Sequence, residues 1–123
     1  MATQQTLEAL AQHHPDCLHV HADIKHLMPE EDAQLLLNNG FFDVSYGNDE
    51  CPSFAIHQYI KCDPISIMAI DDIDYETYER RSDTIYYCVT GKWGYDSPIK
   101  TDLQAVIEDY MHLVRKLERE ATQ

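Results

Sequence analysis

Basic residues are scarce in this chain: nine Lys and Arg stand against 22 Asp and Glu over 123 residues, a formal net charge of −13. A deficit of that size argues against phosphate backbones and anionic lipid as partners, because like charge repels at long range. Glycine is sparse too, at four residues, and none of them builds a phosphate loop or a GxGxxG turn. GxSxG and HExxH are also absent, so no motif selects a reaction. The longest apolar runs fall far short of the ~20 residues that cross a bilayer. The opening MATQQTLEAL has neither the basic nor the apolar region of a secretory leader. Cys17, Cys51, Cys62 and Cys88 include no CxxC pair. These absences describe a reduced, cytoplasmic protein whose cysteines serve mainly as small buried hydrophobes.

What is present is the balance of one folded domain spanning residues 1–123, with 44% hydrophobic and 25% charged residues. Residues 5–13 carry helix formers and stop before Pro15. Leu18, Val20, Ala22 and Ile24 then alternate with Cys17, His19, His21 and Asp23, a period of two that predicts a half-buried strand. Pro29 followed by Glu30, Glu31 and Asp32 opens a helix that Gly40 closes. Strands are expected over 41–46, 53–62, 65–70 and 84–90, and a short helix over 72–81. Thr101 and Gln104 form a capping box before the longest helix, about 102–120. The sum is an α+β class: a mainly antiparallel sheet of four to five strands, helices packed on one face, and a long C-terminal helix.

The charge is concentrated. Residues 29–79 hold twelve acids and one base, Lys61, whereas residues 80–123 balance seven against seven. Within that middle segment the stretch DDIDYETYERR (71–81) gathers Asp71, Asp72, Asp74, Glu76 and Glu79 around Tyr75 and Tyr78. On a helix Asp72 and Glu76 would stand at i and i+4, about 6 Å apart, comparable to successive phosphates along a strand. Tyrosine adds contact area at low entropic cost. Trp93 and Tyr95, on the glycine-framed GKWGYDSP, are further interface anchors. The acids of 71–79 are expected to lie near the Glu30–Asp32 helix start or the Asp49–Glu50 turn, where their fields would add.

Two other chemistries are open to these residues. Cys17, His19 and His21 would share one face of the expected strand, a thiolate and two imidazoles suited to zinc. No second ligand pair accompanies them, and no other cofactor is implied. A small enzyme is the remaining alternative, although nothing among the 22 acids singles out a catalytic pair.

In charge and size the chain resembles the small acidic inhibitors that phages and plasmids encode against restriction or CRISPR complexes. That resemblance implies a non-catalytic, protein-binding module, a monomer or homodimer. Its partner would be a basic surface of a host defence complex, which it blocks as a mimic of DNA. The residues expected to carry the contact are Asp71, Asp72, Asp74, Tyr75, Glu76, Tyr78, Glu79, Trp93 and Tyr95.

Overall fold

A computed structural model describes residues 1–48, 50–56, 59–60, 63–91, 94–95 and 97–121, with backbone alone at 59, 60, 63, 64, 94, 95 and 121. Helix α1 (Gln4–Leu10) begins where the Thr3 hydroxyl accepts the Thr6 N–H at 3.2 Å, satisfying one of the orphan donors of a helix start. Pro15 then stands at the first position of a 3-10 helix, Pro15–His19. His21, in the left-handed region at φ 54°, turns the chain into α2 (Ala22–Leu27). The strand expected over 17–24 therefore does not form. Leu18, Ile24 and Leu27 pack against the core instead, at spacings that a helical path also satisfies.

Helix α3 (Glu30–Asn38) carries its three acids in the first turn, with Pro29 one position earlier as the cap. Gly40, at φ 83°, ends it. The Phe41 N–H reaches back to the Leu36 carbonyl at 3.0 Å, and the Gly40 N–H to that of Leu37 at 3.1 Å, so the last carbonyls keep donors. Glu30 joins α3 to α1: its Oε1 accepts the Thr3 N–H at 3.1 Å and its Oε2 the Thr6 hydroxyl at 2.8 Å.

The Thr3 amide, then the Thr6 hydroxyl, hold the Glu30 carboxyl below its ordinary value of 4.5. A carboxyl whose folded value is lowered contributes stability above its unfolded value, and that contribution is lost as pH falls through the folded one. Glu30→Gln should therefore lower Tm at about pH 7 and flatten the loss of Tm on acidification toward about pH 3. Thermal melts across that range check this, and an unchanged acid limb would contradict it.

Five strands form one antiparallel sheet in the order β1 (Phe42–Asp43), β2 (Ser53–Ala55), β5 (Ser66–Asp74), β6 (Glu79–Gly91) and β7 (Gly94–Tyr95). Between β2 and β5, strands β3 (Tyr59–Ile60) and β4 (Asp63–Pro64) pair with each other. The fold class is α+β, as the patterning predicts. Alternation decides the inner face: Ile67 and Ala69 of β5 and Ile85, Tyr87 and Val89 of β6 are buried in one cluster with Leu7, Leu10, Leu36 and Phe41.

Helix α4 (Leu103–Ala121) closes that cluster with Leu103, Val106, Ile107 and Tyr110. Its cap is Asp102, not the Thr101–Gln104 box. The Asp102 carboxylate accepts the N–H of Gln104 at 3.1 Å and of Ala105 at 3.5 Å. A carboxylate at that position satisfies the same donors and also faces the positive end of the helix dipole. Among the described residues no helix is long and apolar enough to cross a membrane.

Candidate functional site

The acidic stretch 71–81 is a β-hairpin, not a helix. Strand β5 continues through it to Asp74, four residues turn, and β6 starts at Glu79. Two β-prone runs pair with one another and extend through the residues between them until only 75–78 turn, and the sheet contacts outweigh the helix preference of Glu and Arg. The legible signal was the pair of runs flanking the loop, 65–70 and 84–90.

Pairing is regular from Ser66↔Thr90 to Asp71↔Ile85 and then jumps to Ile73↔Arg80 and Asp74↔Glu79. Arg81, Ser82, Asp83 and Thr84 consequently lie opposite Asp72 alone, an enlarged bulge of four residues against one. β2 flanks β5 only at Ser53 and Phe54, with one further bond from the Ala69 N–H to the Pro52 carbonyl. On the other edge the last bridge joins Tyr87 to Lys100. Beyond these, among the described residues, β5 and β6 run on as a two-stranded ribbon, and every residue from Tyr75 to Thr84 is exposed.

Short bonds hold this ribbon in one shape. The Arg80 guanidinium donates to both Asp71 oxygens, Nη2 to Oδ2 at 2.8 Å and Nε to Oδ1 at 2.9 Å. The Ser82 hydroxyl donates to Asp72 at 2.8 Å. At the tip the Glu76 N–H donates to Asp74 Oδ1 at 2.9 Å, and the Tyr78 N–H to the Asp74 carbonyl at 2.7 Å. Tyr75 and Tyr78 stand at the tip, 74% and 80% exposed. Tyr78 is also in the left-handed region, φ 59°, a conformation that costs a bulky residue about 1–2 kcal/mol.

Most of the acids singled out by the sequence are thus displayed, but not at helical spacing. Asp72 and Asp74 are alternate residues of one strand and Glu79 pairs with Asp74 across the ribbon. Asp71 is the exception. It is buried and ion-paired with Arg80, so it braces the ribbon and leaves the displayed set. Asp83 of the bulge and Asp23 of α2 act electrostatically on Arg80 and belong with the ribbon acids, which the sequence reading missed.

The Glu30–Asp32 acids have other neighbours. Asp32 accepts the Tyr87 hydroxyl at 2.7 Å. Burial pushes its carboxyl above the ordinary range against that hydrogen bond, and Glu31 and Asp102 push in the same direction. Asp49 and Trp93 lie outside the described residues, and Tyr95 is placed by its backbone alone, opposite Thr90.

Cys17, His19 and His21 do not share a face. The first two lie on the 3-10 helix and His21 at the left-handed turn after it. Among the described residues no group of three His, Cys, Asp or Glu is placed to hold a metal ion. The Cys17 thiol donates to the Ser45 carbonyl at 3.2 Å, and burial, then Asp43, raise its pKa. Burial pushes the Cys88 thiol up to about 11. Neither has the lowered pKa of a nucleophile.

Behind Cys17 lies a feature with no signature in the sequence. Lys25 and Asp43 are both buried, and Lys25 Nζ meets Asp43 Oδ2 at 2.5 Å. Lys25 also donates to the Cys17 carbonyl. Asp43 Oδ1 accepts the Ser45 N–H at 3.0 Å and the Ser45 hydroxyl at 2.6 Å. That hydroxyl in turn accepts the Ser53 N–H at 3.1 Å. Every charged atom of the pair has a partner, as burial requires.

Comparison with protein-family models, with curated proteins and with solved structures finds no match to this chain.

Proposed function

We propose that this chain is a non-catalytic binding module that meets a basic protein surface with the tip and acidic edges of the 72–83 ribbon. The observation that carries this reading is Tyr78. A tyrosine in left-handed backbone, exposed over most of its surface, returns no packing energy for its strain, whereas glycine would occupy the same turn without it. Its side chain has a use at the tip, beside Tyr75, rather than in the fold. Around the two rings, Asp72, Asp74, Glu76, Glu79 and Asp83 supply a field that steers a positive partner. The ribbon's internal bonds lower the ordering cost of docking.

In its narrower form the partner surface is one that holds nucleic acid, on a host defence complex, and the chain is the inhibitor of a phage or plasmid. Two features support that form. Alternate residues on a strand stand about 6.6 Å apart, so Asp72 and Asp74 keep the phosphate-like interval that a helix would have supplied. The net charge of −13 disfavours direct binding to nucleic acid. The free thiols of Cys17 and Cys88 suit a reducing cytoplasm.

Tyr78→Gly separates recognition from folding. The variant should keep or raise Tm, because strain is relieved. It should bind the partner recovered from source-cell lysate more than about tenfold more weakly. Changing Asp72, Asp74, Glu76 and Glu79 to Asn or Gln should weaken binding comparably and flatten its salt dependence. For the narrower form, the intact chain should displace DNA from that partner. Unchanged binding in both folded variants would make the ribbon ordinary solvated surface.

A further inference from the structure

A cleft of about 450 Å³ opens between the segment that follows α1 and the segment that follows β1. That volume falls within the range of small-ligand pockets. His13, His14, Asp16 and Cys17 line one wall, and Val44 and Tyr46 the other. The walls are pinned at their base by the buried network. The Cys17 thiol bonds the Ser45 carbonyl, Lys25 bonds the Cys17 carbonyl and Asp43, and Asp43 holds Ser45. A buried ion pair is weak evidence for stability, since apolar residues of equal volume often serve as well. What this pair supplies is a fixed separation of two walls.

The lining specifies a ligand chemistry. Phe42 fixes both imidazoles: its ring lies 5.5 Å from His14 in a stacked arrangement and 5.5 Å from His13 edge-on. Tyr46, more than half exposed, adds a phenol on the opposite wall. Flat aromatic faces call for a flat partner, and the exposed Asp16 carboxylate calls for a cation with directed N–H donors. Anions are disfavoured by Asp16 and by the net charge of −13. A primary ammonium is a compact, strongly hydrated point charge that cannot stack. A guanidinium satisfies both demands at once.

We infer that this cleft binds a guanidinium group, either a free guanidino compound or the side chain of an arginine. The inference is independent of the ribbon, so loss of one activity leaves the other intact. The full chain, labelled with ¹⁵N, is titrated at low salt and about pH 8, where an ordinary imidazole is neutral. The probes are ethylguanidine, N-acetyl-arginine amide and the neutral isostere N-acetyl-citrulline amide.

Saturable shifts at the amides of His14, Asp16, Cys17 and residues 44–47 are expected for at least one guanidino probe, and none for the citrulline. Tighter binding of ethylguanidine identifies a free compound, and tighter binding of the arginine amide, which carries the same single charge, a peptide side chain. Asp16→Asn, an exposed change that leaves the fold intact by its amide spectrum, should weaken binding about threefold to fivefold. The proposal is overturned by any of three results. The cleft amides do not move, the citrulline binds equally well, or the shifts spread equally over residues 72–83 as for a diffuse counterion.

Discussion

Lys25→Met should cost this protein about 3–5 kcal/mol, because it strands the Asp43 carboxylate in the interior without its cation. Both side chains of the pair are almost fully buried, at 1% and 2% exposure. The two Ser45 donors to Asp43 soften the loss without supplying charge. Asp43→Asn should cost a similar amount by leaving the Lys25 ammonium with only the Cys17 carbonyl. The double variant, Lys25→Met with Asp43→Asn, buries no net charge and keeps an acceptor for Ser45. It should recover at least about 1 kcal/mol relative to the sum of the single losses. Urea denaturation of the four proteins measures the cycle. Single losses below about 1 kcal/mol, or strictly additive ones, would show that water relaxes around the pair and that it does not fix the cleft walls.

A comparable loss is expected at Tyr110. Tyr110 of α4 is fully buried, its ring centroid 4.8 Å from that of Phe41. Its hydroxyl accepts the Ile56 N–H at 3.2 Å. One side chain thus joins the C-terminal helix, the end of α3 and the segment after β2. Tyr110→Ala should cost about 3–5 kcal/mol, the usual result of emptying a large aromatic site. Tyr110→Phe keeps the volume and removes the acceptor, so it should cost about 1 kcal/mol, the loss of one hydrogen bond to a partly buried amide. Chemical denaturation separates the two contributions. A Phe variant as damaging as the Ala variant would place the energy in the hydroxyl rather than in packing.

Where a pattern depends on chain neighbours, the residues alone were sufficient. Pro29, three acids and a terminal Gly40 mark α3, and the apolar spacing from Leu103 to Leu117 marks α4, because caps and helical faces are set within a few residues. The β-prone runs 65–70 and 84–90 likewise became β5 and β6, each longer than its run. Both errors of element type fell where local signals conflict. Residues 17–24 satisfy a period of two and also a broken helical path. In 71–81, helix-forming residues sit between two strands that close on each other.

The net charge, its concentration in residues 29–79, and the prominence of Tyr75 and Tyr78 are properties of composition and could be read directly. Which acids are displayed is not such a property: Asp71 and Asp72 are adjacent in the chain, yet one is buried against Arg80 and the other lines the ribbon edge. Lys25, Asp43 and Cys17 meet only because α2, β1 and the 3-10 helix converge. The free energy of a buried charge depends on what surrounds it in space, and no local window contains that information. Sequence therefore determined the class of fold and the sign and concentration of the chain's own charge. Tertiary structure decided the ribbon, the register that sorts its carboxylates, and the pinned cleft between residues 13–17 and 44–47.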